Sequence, residues 1–218
     1  MPSGYKPKKL IVEGKEDQRV IPQLIEANGI LWGETKQEAV VNIEAYGNDD
    51  FASNATFIST ELKASGLKAL GLIVDADNHD LNARWQSIRN ACLKSIPDIP
   101  EKLPITGLMH PTGSGIKFGV WIMPDNQTQG MLETFLTYLI PDEDEPLWQY
   151  AQEVATEAQN KGATFINSHF DKASIYSWLA WQNPPGRQLH DAVKQKIFNP
   201  THRQAQSFVN WFKQLYDL

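Results

Sequence analysis

The apolar run Leu70-Gly71-Leu72-Ile73-Val74 gives way abruptly to Asp75-Ala76-Asp77, and this junction constrains the fold more than any other stretch of the chain. An apolar run bounded by polar residues is the pattern of a buried strand, one covered on both faces. Such a strand delivers carboxylates to its C-terminal end. Alternate residues of a strand share a face, so Asp75 and Asp77 are expected to point the same way, where they repel each other unless a cation or a proton intervenes. Chelation of a metal accounts for the pair, and a surface turn is the plainer alternative.

The surrounding pattern says what covers that strand. Lys8–Val12 reads as a first strand ending in Glu13-Gly14, followed by a helix over Glu16–Asn28 with Val20, Ile21, Leu24 and Ile25 on one face and Pro22 in its first two turns. Ala39–Ala45 reads as a second strand, with Asp49 or Asp50 capping a helix that runs to about Ala64. After the third strand, Trp85, Ile88, Ala91 and Cys92 line one side of a helix from Asn82 to Ser95, which Pro97 ends. Three strand–helix units in succession predict an α/β fold: a mostly parallel central sheet flanked by helices, with right-handed crossovers. Pro104–His110 and Lys117–Met123 then form a hairpin, so one of these two strands runs antiparallel. A short helix over 130–139 carries Glu133. The acids Asp142 to Glu145 complement the dipole of a helix over Pro146–Asn160.

The remainder is helical and aromatic, over Lys172–Trp181, Gln188–Ile197 and Arg203–Tyr216, and Trp178, Trp181, Phe208, Trp211 and Phe212 are expected in the core. The expected division is an α/β domain over residues 1–140, opening on a loose leader over 1–7, and a helical extension over 141–218 packed on it, with one single domain as the alternative.

Composition narrows the class. The 218 residues hold no apolar run near the ~20 that a membrane span requires. The start, MPSGYKPKKL, lacks the apolar segment of a secretory signal. Cys92 is the only cysteine, which excludes an internal disulfide and a cysteine-rich zinc site. A cytoplasmic location without membrane attachment is expected. The net charge of −6 conceals a basic stretch, in which Lys161, Lys172, Arg187, Lys194, Lys196, Arg203 and Lys213 outnumber Asp171 and Asp191. Such a stretch suits a polyanion or, more simply, the solvated faces of helices. The five histidines show no spacing that suggests paired ligands.

In a doubly wound sheet, ligands collect beyond the C-terminal strand ends where the strand order reverses. An order 2-1-3 brings Glu13 beside Asp75 and Asp77, and Gly14 permits a sharp turn there. Asp17, in the first helical turn, leans over the same crevice. A cluster of oxygen donors favours Mg²⁺ or Mn²⁺ over zinc.

Val12-Glu13-Gly14-x-x-Asp17 after a first strand and Asp75-x-Asp77 after a third resemble the Toprim domain of topoisomerases, bacterial primases and OLD-type nucleases, the OLD-type branch most closely. The whole chain, with WIMPDN at 121–126, Leu132-Glu133 and WLAWQ at 178–182, is similar to a family of uncharacterised Toprim-like prokaryotic proteins. The resemblance implies a Mg²⁺-dependent phosphodiester-processing protein, nuclease-like, acting on DNA or RNA. It makes Glu13 the general acid/base or a metal ligand, Asp75 and Asp77 the metal-binding aspartates, and Asp17 an additional ligand. Asp125 and Glu133 are candidates for a second metal site, and Lys172 for contact with phosphate. Thr112-Gly113-Ser114-Gly115-Ile116-Lys117 lacks the ending of an ATPase phosphate loop, so a stand-alone module, a homo-oligomer or one with a protein partner is expected. The alternative is a module that binds metal and nucleic acid or nucleotide without turnover. An aspartyl-phosphate acceptor is a more distant rival, which the Asp75/Asp77 pair fits poorly.

Overall fold

In the computed structural model, which describes residues 7–47 and 50–218 and only the backbone of residue 50, the strand β1 (Lys8–Val12) lies between β2 (Asn42–Ala45) and β3 (Ala69–Asp75), parallel to both. Beyond β3 comes β5 (Lys117–Met123), also parallel, and then β4 (Leu108–Pro111), which pairs antiparallel with β5. The order β2-β1-β3-β5-β4 makes one mostly parallel sheet, and it reverses direction between β1 and β3. The expected leader over 1–6 lies outside the described residues.

Two-residue periodicity sorts the side chains of the strands onto two faces. Leu10, Val12, Ile73, Trp121 and Met123 turn to one side, where they join α1 (Lys15–Ala27), α4 (Leu132–Thr137), α5 (Glu145–Asn160), α6 (Phe170–Ala180), α7 (Leu189–Lys194) and α8 (Gln206–Tyr216). Ile11, Leu72, Val74, Val120 and Ile122 turn to the other, against α2 (Ala55–Leu62) and α3 (Leu81–Cys92). No helix among the described residues is long and apolar enough to cross a membrane.

The C-terminal helix closes the first face. Gly71 and Gly119 are register partners on β3 and β5, and together they make a shallow floor on which Leu215 rests. A Cβ at Gly119 would come within 2.5 Å of Leu215 Cδ2, and one at Gly71 would collide with the Tyr216 hydroxyl. That hydroxyl donates to the Lys9 carbonyl at 2.8 Å. Leu10 and Tyr216, from opposite ends of the chain, therefore share the hydrophobic core of this face.

Several local expectations need correction. Pro22 is the eighth residue of the thirteen in α1, beyond its first two turns, so the helix loses an interior hydrogen bond. Burial of Val20, Ile21, Leu24 and Ile25 offsets that loss. The second strand starts at Asn42 rather than Ala39, because the Val40 N–H bonds to the Trp32 carbonyl instead of a neighbouring strand. Asp49 and the side chain of Asp50 lie outside the described residues. Asn54 caps α2, accepting the Thr56 and Phe57 amides at 3.0 Å each. Trp181 is exposed and stacks on Tyr150, whereas Trp178, Phe208, Trp211 and Phe212 are in the core.

Candidate functional site

The parallel register sets Val12 opposite Ile73, so the chain leaves β1 through Glu13-Gly14 directly beside the end of β3. Glu13 Oε1 accepts the Asp75 amide at 3.0 Å and the Arg84 guanidinium at 2.9 Å. Arg84, buried on α3, also donates from Nε to the Asp75 carbonyl at 3.2 Å. The first and third strand ends are thereby tied together from the opposite layer.

Asp17 reaches the same place from the first turn of α1, where its Oδ2 accepts the Gly14 amide at 3.0 Å. Gly14 has ordinary extended angles, φ −110° and ψ 161°, so no sharp turn requires it. The reason for glycine is space: a Cβ there would sit 2.9 Å from Asp17 Oδ2.

Asp75 and Asp77 both line the cleft, but not by strand alternation. The strand β3 ends at Asp75, and Asp77 adopts a left-handed backbone with φ 50°, a conformation that aspartate tolerates better than most residues. Asp77 exchanges two backbone hydrogen bonds with Gly130, at 2.8 and 3.0 Å. That bridge draws the segment after β5 across the strand ends. The N-terminus of α4 then donates its Leu132 amide to Asp75 Oδ1 at 3.2 Å, and the next residue, Glu133, enters the cleft.

The result is a cleft of about 510 Å³ beyond the C-terminal ends of β1 and β3. Glu13, Asp17, Asp75, Asp77 and Glu133 line it, with Lys172 and His169 from α6 and the turn before it. Lys172 Nζ pairs with Glu133 Oε1 at 2.8 Å. Asp125 is not brought here. Its Oδ1 accepts from the Gln127 and Thr128 amides and its Oδ2 from the Tyr138 hydroxyl, which ties down a turn in a different cleft.

Burial and like charge act on the carboxylates together. Burial pushes Asp17 up to about 7, and the charges of Glu133 and Glu16 add to it. Burial likewise holds Asp75 well above the usual carboxylate range, with Asp17, Glu13, Asp77 and Glu133 raising it further. Burial works against the charge of Lys172, but its pair with Glu133 outweighs this and holds the amine above its ordinary value.

Residues 7–217, which include both layers and the whole cleft, match the family model described as Protein of unknown function (DUF3226). The chain belongs to this family. No curated protein and no solved structure matches it.

Arg84, which anchors Glu13 at the DUF3226 cleft, and Lys15, Glu16 and His169, which line it, are not marked out by the sequence. Arg84 carries a signal in hindsight, since it falls on the apolar stripe of its helix, four residues before Ile88 and seven before Ala91. His169 carries none, because only the placement of α6 brings it to the strand ends. Of the seven bases between 161 and 213, Lys172 alone lines this cleft, while Lys161 pairs with Glu157 and Lys213 donates to the Asn28 carbonyl.

As a donor set the site is all oxygen on its carboxylate wall, which suits a hard cation in chemistry. Burial and mutual repulsion raise two of its members, Asp17 to about 7 and Asp75 well above the usual carboxylate range, and a cation would relieve that repulsion. Among the described residues, no three His, Cys, Asp or Glu side chains stand together in a way that holds a metal ion unaided. The fit is thus one of chemistry, with oxygens from water or a bound ligand needed to complete it.

Proposed function

We propose that the cleft takes Mg²⁺ or Mn²⁺ and processes phosphodiester bonds in nucleic acid, as the resemblance to Toprim domains of the OLD type implies. The observation that carries this reading is a cleft at the reversal of strand order that carboxylates enter from β1, β3, α1 and α4, beside Lys15 of α1, with Lys172 and His169 opposite them on the α6 side. A phosphate with a divalent cation presents the complementary pair of charges. Asp75, Asp77 and Asp17 would hold the ion with Glu13 beside them, and a bound divalent ion supplies neutralisation of charge on phosphate oxygens.

The residues of the chain have distinct tasks in this reading. Glu13, held in place by Arg84 and the Asp75 amide, would serve as the proton acceptor in this reading. The ammonium of Lys172 faces the anionic ligand from across the cleft. The second reading, a module that binds metal and nucleic acid without turnover, is favoured by the commitment of Glu13 Oε1 to the backbone and to a buried arginine.

Incubation with single-stranded and duplex DNA and RNA, with and without Mn²⁺, separates the two. Metal-dependent cleavage that Asp75→Asn abolishes supports the enzyme. Metal-dependent, salt-sensitive binding without product supports the module. Neither cleavage nor binding by a folded protein overturns both.

A further inference from the structure

The Lys172–Glu133 pair has an unequal exposure. The Glu133 side chain is 5% exposed and that of Lys172 is 44% exposed. Glu133 is fixed where it stands, because Leu132 beside it is hydrogen-bonded to Asp75 and the preceding segment is bridged to Asp77. Lys172 hangs from the first turn of α6 on a flexible stem that leads out to solvent. The chain thus supplies its own cation to a group of carboxylates, and that cation is free to leave while its partner is not.

The charge of Glu133 acts on both Asp17 and Asp75, so it belongs electrostatically to the same group. A divalent ion among these carboxylates and an ammonium on Glu133 repel each other through half-buried surroundings, where screening is weak. Resting on the reading above, we propose that Lys172 is a built-in competitor for the cation: its pair with Glu133 holds the cleft in a metal-poor state, and a divalent ion displaces the ammonium, freeing it for an anionic group of the ligand. Arg84 plays no such part, since its guanidinium is buried and bonded to both Glu13 and the Asp75 carbonyl.

The test is a calorimetric titration of Mn²⁺, and separately Mg²⁺, into the wild type, Lys172→Met and Lys172→Arg, with circular dichroism to establish that each is folded. The methionine keeps the length of the stem and removes the charge. Its affinity is expected to exceed that of the wild type roughly fivefold, the worth of a half-exposed ion pair, while the arginine variant stays near the wild type. A second measurement needs no variant: acetylation of Lys172 in the wild type, followed by mass spectrometry, is expected to accelerate when Mn²⁺ is added. Equal or weaker binding by a folded Lys172→Met, or acetylation that Mn²⁺ leaves unchanged, overturns the competition while the cation site stands. Binding by none of the three proteins overturns both.

Discussion

The Glu13 carboxylate and the Asp75 amide are joined by a 3.0 Å hydrogen bond between neighbouring strand ends, across 62 positions of sequence. The same oxygen accepts from Arg84, so one carboxylate oxygen serves both the strand junction and a buried cation. Glu13→Ala is expected to cost ~3–5 kcal/mol, the range for removing one partner of a buried charge pair. Glu13→Gln, which keeps an acceptor, is expected to cost less than half of that. Urea unfolding followed by circular dichroism measures both, and equal stability of the alanine variant and the wild type would refute the junction.

Gly14→Ala separates the site from the fold. Its backbone angles suit alanine, so the added methyl is relieved by moving the Asp17 carboxylate rather than the chain. The expected outcome is a loss of stability of no more than ~1 kcal/mol, because only a short side chain must shift. The Mn²⁺ affinity, read by calorimetry, is expected to fall several-fold.

Gly119→Ala is expected to do the opposite. The new methyl meets Leu215 in the packed floor beneath α8, and neither residue lines the cleft. Overpacking of this kind costs about 1–3 kcal/mol. A lower midpoint in urea with unchanged affinity for Mn²⁺ in the folded protein is the expected result.

Asp77 supplies a backbone test. At φ 50° a Cβ is unfavourable unless the side chain compensates, so Asp77→Ala is expected to lose about 1–2 kcal/mol and Asp77→Gly to lose much less. Both remove the carboxylate, so both are expected to weaken cation binding alike. Thermal unfolding distinguishes the strain from the charge.

The dependence on pH follows from Asp17. Its carboxyl rises from an ordinary 3.8 to about 7 on folding, chiefly through burial. Between these values the folded protein holds a proton that the unfolded chain has released, so this contribution is complete below pH ~4 and is lost as pH rises through about 7. Asp75 shifts in the same direction. Without metal, Tm is expected to fall from pH 5.5 to 8, and Asp17→Asn to flatten that slope. Added Mn²⁺ should raise Tm more at pH 8 than at pH 6, since protons compete for the same oxygens. A Tm that rises steadily to pH 8 in the metal-free protein would contradict the burial of Asp17.

The succession of short apolar runs and helix-periodic segments determined the α/β class by itself. Runs such as Leu10-Ile11-Val12 and Leu72-Ile73-Val74 are apolar on both faces because both faces are covered, and that pattern is local. Glu13 and Asp75 were legible for the same reason, since each directly ends or follows a strand, and adjacent parallel strands bring their ends together. The rest depended on distance. Glu133 enters the cleft only through the bridge from Asp77 to Gly130, and Lys172 only through the packing of α6 on α4, which no spacing in the sequence encodes. Asp125 looked equally suited, but its oxygens are spent on a local turn. Local hydrogen bonding and periodicity are written along the chain. Which carboxylates share one cleft was decided by tertiary contacts, because side-chain convergence depends on the sum of many packing interactions rather than on any one stretch.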